Sequence, residues 1–432
     1  MEDQSNMSEA YRNTLKMINE LKQEEELNPS NETMNPPSIA EVKGLSNKKI
    51  NWQPTAEGRQ KRLEFLKNEN IQTNLISGKT PLETDSCFQG NIENFIGMAQ
   101  IPIGLGGPLL INGTNAKGTF YIPLATTEGA LVASYNRGMK ACRLSGGVTT
   151  AIVAEGVQRS PLFHFDDLYN VGLFVQWVSE KLPHFKELIR EYSRYAQLQD
   201  MKVNMEGSSV ILTFEYHTGD AAGQNMVTIC TNAVCLYIEK NYPNKINHWY
   251  IESNYSGDKK ATHRSFNHVR GKKVIAEVLL PKEVVVGTLK TTAEKLFQGW
   301  LDATMSIVQS GAIGAQGHVA NGLTAMFIAC GQDVACVSEA AIGMTRMELT
   351  PQGDLYASVT LPALIVGTVG GGTSLPTQRQ CLEMMDCYGA GKANKFAEIC
   401  CAVALAGELS IGAALCAHHF AEAHAFLGRK RV

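Results

Sequence analysis

The sequence predicts a mixed α/β (α+β) protein in which a large domain is interrupted by a smaller insert, and three observations carry that reading. From Asn94 the chain is rich in Gly, Ala and Thr, with short apolar runs. Between about 160 and 250 it becomes more aromatic and charged and contains SSVILTFEYH, the period-two pattern of a half-buried strand. From about 250 onward the Ala/Gly-rich style returns. With 432 residues, 44% of them hydrophobic, the chain can build a large core and two or three domains.

In chain order, residues 1–45 are rich in Asn, Glu, Ser and Pro and read as a disordered leader. Residues 46–92 read as an N-terminal helical segment, with EGRQKRLEFLKNENI predicting an amphipathic helix from about Thr55 to Ile76. The large domain is assigned to 93–160 and 251–432, and the insert to 161–250. The formal net charge of -3 gives no basic footprint for nucleic acid or an anionic membrane. Eleven scattered cysteines without a C-x-x-C pair argue against a disulfide framework or a zinc ribbon, and for a reducing, cytoplasmic setting. The adjacent Cys400 and Cys401 read as core filling. The first residues, MEDQSNMSEAYRNTLK, contain no apolar signal core. CCAVALAGELSIGAALCA, from Cys400 to Ala417, has the length of a bilayer span. An ionised Glu408 near its middle would cost about 2.5 kcal/mol or more in lipid. Its Ala and Gly content fits a helix packed inside a protein instead.

Six segments carry candidate chemistry. In PLATTEGALVASYNRGMKAC, Thr126 or Thr127 is placed to cap a helix, with Glu128 near its start and Ser134, Asn136, Arg137 and Lys140 along it. ESNYSGDKKATHRSF puts Asp258, Lys259 and Lys260 after a Ser-Gly turn. HVANGLTAMFIACGQD ends an apolar, helix-like run on Asp333, a carboxylate that is costly there if buried and unpaired. IVGTVGGGTSLPTQ brings a β-rich run to Gly370, Gly371 and Gly372, where a backbone can approach a ligand closely. In AHHFAEAHAFLGRKRV, His418, His419 and His424 fall on one expected helix, at spacings poor for a shared metal; no metal site is expected. TGDAAGQNM offers Gly223 as a helix start near a pyrophosphate. No Walker A and no G-x-G-x-x-G occurs, so a nicotinamide cofactor would bind outside the usual fingerprint.

Together these segments, with ENFIG, PIGLGGP, TVGGGT and AGELS in the same order, resemble the 3-hydroxy-3-methylglutaryl-CoA (HMG-CoA) reductase family from about Glu93 to Arg429. The resemblance implies a large HMG-CoA-binding domain around a long central helix and a ferredoxin-like insert that binds NADPH. It assigns catalysis to Glu128, Lys259, Asp333 and His424. It places Ser134, Asn136, Arg137, Lys140, Arg159, Lys260 and Asn321 at HMG-CoA, with Arg159 on the distal carboxylate and Lys140 facing CoA phosphate. Ser193, Arg194, Asp220, Gly223, Asn225, Asp258, Gly371, Gly372 and Arg429 fall to the cofactor, and the Ser193–Arg194 pair selects the 2′-phosphate of NADPH. The products would be mevalonate and CoA, made by a homodimer or homotetramer with sites between subunits. The sequence departs from the family's eukaryotic members at Glu422 and Ala423, at Ala261 to Ser265, and at Ala222 and Gln224. Its rivals are NADH-linked oxidation of mevalonate and a non-catalytic binding protein. The intact Glu128, Lys259, Asp333 and His424 set speaks against the latter.

Overall fold

The computed structural model describes residues 18–19, 54–79 and 85–421. The leader, His424 and Arg429 therefore lie outside the described residues, apart from two leader positions. The first long helix, α1 (Ala56–Asn68), is capped by Thr55, whose hydroxyl accepts from Gly58 N at 3.1 Å. It stops well short of Ile76, because Asn70 turns to a left-handed φ of 61° and the following residues form turns. Little of it is buried beyond Gly58 and Leu66, so it is a surface helix rather than a strongly amphipathic one.

The sheet-forming part of the chain opens with a hairpin of β1 (Ile103–Asn112) and β2 (Lys117–Ala125). Helix α2 (Leu131–Leu144) follows, then β3 (Thr149–Arg159). Residues 161–250 contain β4 (Leu162–His164), α3 (Leu168–Glu180), α4 (Leu182–Tyr192), β5 (Gln197–Glu206), β6 (Ser209–His217), α5 (Gln224–Asn241) and β7 (His248–Tyr250). SSVILTFEYH forms β6, as its alternation predicts. The chain continues through β8 (Gly271–Leu280), α6 (Ala293–Ser310), α7 (Val319–Ala329), β9 (Met344–Leu349), β10 (Leu355–Leu364), α8 (Pro376–Met384) and α9 (Ala393–Cys416).

One antiparallel sheet runs through both regions in the order β7-β4-β6-β3-β8-β10-β9, with β5 along the other edge of β6. Strand β3 joins the two parts. Its residues 149–156 pair with β8, and Val157–Arg159 pair with β6. Among β4 to β7 the order β7-β4-β6-β5, all antiparallel, is the strand order of a ferredoxin-like unit, with two helices in place of one between β4 and β5.

Helix α9 is the central pillar. Its residues from Phe396 to Ser410 are all buried. It is the one described helix long and apolar enough to cross a membrane, and 78% of its apolar window is buried inside the protein. The Ala/Gly content has a packing cause: a Cβ on Gly138 of α2 would collide with the Ala406 carbonyl of α9, so only glycine lets the two backbones approach this closely. Cys400 and Cys401 are fully buried on this helix, and all eleven cysteines are free.

Two carboxylates would otherwise disrupt so apolar a helix. Glu398 accepts from Asn115 N at 2.9 Å, Ala116 N at 2.7 Å and the hydroxyls of Thr114 and Thr150 at 2.5 and 3.0 Å. Glu408 accepts from Gly317 N at 2.9 Å, His318 N and the Thr345 hydroxyl at 2.8 Å, and so caps α7 from a neighbouring helix. Burial still raises the Glu408 carboxyl above its ordinary range, against the lowering effect of these donors.

Candidate active site

The segment after β2 bends into a loop before α2. Thr126 and Thr127 do not cap that helix. It begins at Leu131 behind Ala130, which has a left-handed φ of 71° and makes no side-chain cap. The Thr126 hydroxyl instead accepts from Glu128 N at 3.0 Å, which fixes the loop carrying Glu128. The Glu128 carboxylate accepts from Asn321 Nδ2 at 2.8 Å, on the first turn of α7.

Asp333 lies beyond the other end of α7. It caps the short turn Val334–Cys336 by accepting from Ala335 N at 3.1 Å. Its second contact is with Lys259, whose Nζ is 3.3 Å from Asp333 Oδ2. Each side chain is 44% exposed, so the pair faces space that a substrate can enter. Burial, the largest single influence on Lys259, would lower its proton affinity. The charges of Asp333 and Asp258 and the hydrogen bond to Asp333 outweigh it and hold the ammonium above the ordinary lysine range. Lys259 has φ 56°. A side-chain-bearing residue in that region costs on the order of 1 kcal/mol, so its surroundings must hold it.

One chain thus forms two separate pairs, Glu128 with Asn321 and Lys259 with Asp333. Eight residues of α7 between Asn321 and Ala329 set them apart by about 12 Å along the helix at 1.5 Å per residue. Within a single subunit Asp333 therefore stands at the far end of α7 from Glu128.

A buried alternation of charges lies behind Lys259. Arg159 Nη1 is 3.1 Å from Glu252 and 3.2 Å from Asp258, and Arg270 is 2.5 Å from Asp258 and 2.8 Å from Glu339. Arg159 Nε is buried without a hydrogen-bond partner. Asp258 is buried enough to be raised, but Arg270, Arg159 and Lys259 overcome this and lower it. Glu252, Arg270, Glu339 and Cys336 were not singled out from sequence. Single Glu, Arg and Cys residues scattered over almost ninety positions give no local signal of a shared network.

The remaining predicted residues fall into three places. On α2, Asn136 accepts from Gly107 N at 2.7 Å and donates to Leu105 O at 3.2 Å, so its amide clamps β1. Ser134 and Arg137 both bond Ser410 of α9, at 3.1 and 3.0 Å, while Lys140 is exposed. Near Lys259, the Lys260 N–H donates to Glu339 at 3.2 Å, and its ammonium donates to Asp258 O at 3.0 Å.

The third place is the start of α5 and the segments packed against it. Gly223 starts α5 with a left-handed φ of 80°, and a Cβ there would strike the Thr218 side chain. Asn225 is exposed on the first turn, and Gln224 Nε2 donates to Cys336 Sγ at 2.7 Å, tying that turn to the Asp333 segment. Asp220 is turned toward α9, accepting from Gly391 N at 2.7 Å and Ala393 N at 3.0 Å. The Ser193 hydroxyl lies 3.1 Å from Met226 Sδ on α5, which brings the exposed Arg194 near the start of that helix. Gly371 has open space where a Cβ would point, whereas Gly372 packs against the Gly331 backbone two residues before Asp333. The α5 turn, the glycine loop and the Lys259–Asp333 pair therefore converge. At the C-terminus, α9 ends at Cys416 and His418 has φ 58°, so His418 and His419 follow the helix instead of lying on it.

The chain is similar to known proteins along most of its length. The profile described as hydroxymethylglutaryl-coenzyme A reductase matches residues 56–429. The 3-hydroxy-3-methylglutaryl-coenzyme A reductase of Pyrococcus abyssi is 43% identical over 82% of this chain and 88% of its own. That of Methanocaldococcus jannaschii is 41% identical over 81% and 87%. The fold is similar to the class II reductase from Streptococcus pneumoniae, solved with NADPH in open conformations, at TM-score 0.67 and 20% identity over 82% of this chain and 96% of that one. With a family match across 56–429 and relatives above 40% identity over most of both chains, this protein belongs to the hydroxymethylglutaryl-coenzyme A reductase family.

Proposed function

We infer that this chain reduces HMG-CoA to mevalonate and free CoA, the activity for which its family is named, with NADPH as reductant. The observation that carries the chemistry is Lys259. Its ammonium is held charged by Asp333 at 3.3 Å and stands beside the glycine loop and the α5 turn.

The residues fit a dinucleotide. The α5 turn presents Gly223 and Asn225, Gly371 leaves open space, and Arg194 is an exposed guanidinium near the same helix start. Residues 161–250 form the cofactor-binding unit, and 93–160 with 251–432 the substrate-binding one. Taking a thioester to an alcohol needs two hydrides, and two molecules of NADPH, bound one after the other, would each supply one. Lys259 stabilises the negative charge that each addition leaves on the carbonyl oxygen. Glu128 delivers a proton to that oxygen, and Asn321 orients the carboxyl. His424, outside the described residues, protonates the departing CoA thiolate. The buried Nε of Arg159 is a donor suited to the distal carboxylate of the substrate.

The separation of the two pairs along α7 supports a site completed by a second copy of the chain, with Glu128 from one subunit facing Lys259 from the other. A homodimer is then the smallest active unit, and the composition fits a cytoplasmic enzyme.

The test is absorbance at 340 nm with HMG-CoA and either NADPH or NADH, alongside thiol release. Two NADPH consumed per thiol, with NADH much slower, is expected; a preference for NADH would favour oxidation of mevalonate instead. Arg194→Ala should cut the NADPH preference about 10- to 100-fold, the loss of one charge-assisted contact of about 1.5–3 kcal/mol. An unchanged preference would remove Arg194 from the 2′-phosphate site.

A further inference from the structure

Lys259 sits in a left-handed turn, with φ 56° following Gly257 at φ 78°. Side chains rarely adopt that conformation, so something outside the turn fixes it. The backbone N–H that follows Lys259, of Lys260, donates to Glu339 Oε2 at 3.2 Å, so a carboxylate of the protein anchors the turn from behind.

Glu339 is fully buried, and its other oxygen accepts from Arg270 Nε at 2.8 Å. Arg270 is buried too. It donates onward to Gln158 O at 3.2 Å and to Asp258 at 2.5 Å, the residue before Lys259. The turn is therefore gripped twice by one buried pair, through the Lys260 amide by Glu339 and through the Asp258 side chain by Arg270. Arg270 and Glu339 are both fully buried, whereas the Lys259 side chain is partly open to solvent.

We propose that the Glu339–Arg270 pair is a positioning device that sets the place and direction of the Lys259 ammonium. The proposal rests on the reading of Lys259 as the cation at the carbonyl oxygen. Glu339 offers two acceptor oxygens, one to Arg270 and one to the turn. Glutamine in its place offers one acceptor and one donor, so one contact becomes donor against donor and the turn is released. Lys259 then drifts from Asp333 and Asp258, whose charges hold its proton affinity up.

The experiment compares full-length wild type, Glu339→Gln, the double variant Glu339→Met/Arg270→Met and Lys259→Met. Each is measured for kcat, KM for HMG-CoA and NADPH, the pH–rate profile and Tm. In Glu339→Gln, kcat should fall about 100-fold, the scale of a misplacement of about 1 Å, with both KM values within about threefold. The alkaline limb of the profile should move to lower pH as Lys259 loses its carboxylate neighbours. A wild-type kcat, or a loss with an unmoved alkaline limb, overturns the proposal. If Glu339→Gln does not fold, the double variant decides, because removing both charges leaves neither orphaned. It should fold with the same kcat loss, and a folded double variant with wild-type kcat overturns the proposal. Full activity in Lys259→Met would instead refute the reading of Lys259. An inactive Lys259→Met beside a normal Glu339→Gln refutes the positioning role alone.

Discussion

Lys259→Met will lower kcat for HMG-CoA about 100- to 1000-fold, the usual cost of losing one donor to a developing oxyanion. The methionine keeps the length and the apolar stem of the lysine and removes only the charge. NADPH binding, followed by fluorescence titration, should stay close to wild type, because the charged nucleotide contact proposed above, Arg194, is a different residue that this substitution leaves in place. Glu128→Gln should be as inactive for a different reason, since an amide cannot deliver the proton. Asn321 and Asp333 belong to opposite ends of α7, about 12 Å of helix apart, so the two lesions fall at different places in one subunit. Co-expressing the two variants in equal amounts then gives a decisive reading. If a site draws Glu128 from one copy and Lys259 from another, about a quarter of sites in the random mixture receive both intact residues, and about a quarter of the activity returns. Sites built within one chain would leave the mixture as inactive as its parents.

That test depends on geometry the sequence does not display. The order of motifs was legible because each has a local signal. The period-two alternation of SSVILTFEYH marked β6, and the apolar run ending on Asp333 marked α7 and its exit. The Ala/Gly-rich run around Glu408 was legible as a packed helix, because a carboxylate amid so many small apolar residues fits neither lipid nor an exposed face. What stayed hidden is pairing across the chain. Glu408 finds its donors at Gly317 and Thr345, and Asp220 finds its own at Gly391 and Ala393, more than sixty and more than a hundred residues away in sequence. The Thr126 and Thr127 expectation failed for a related reason. A good capping residue was present, but the backbone takes a left-handed step at Ala130 to aim the Glu128 loop, and the helix starts late. Local propensity yields where a loop must present a side chain.

Glu398 was not read from the sequence at all, and it should prove the most sensitive single position for stability. It lies fully buried on α9, yet its carboxylate is satisfied by two backbone N–H groups and two hydroxyls from the β1–β2 turn and β3, with the Asn115 side-chain amide also 2.8 Å away. Glu398→Ala removes the shared acceptor and strands these donors in a space that one small methyl cannot fill. Each stranded donor costs about 1–3 kcal/mol, partly relieved by entering water, so a net loss of about 4 kcal/mol is expected. Native proteins keep only about 5–15 kcal/mol in hand, so this is a large fraction. At roughly 2 °C per kcal/mol for a large domain, Tm should fall by about 8 °C in a calorimetric or fluorescence melt. Glu398→Gln retains one acceptor and should lose about half as much. Gly113→Ala should reproduce the defect from the other side, since its Cβ would run into both Glu398 and Thr150. A Tm within 2 °C of wild type for Glu398→Ala would mean that water replaces the carboxylate at little cost. The hairpin would then be held by its strand pairing alone, and α9 would be central by its packing and not by its charge.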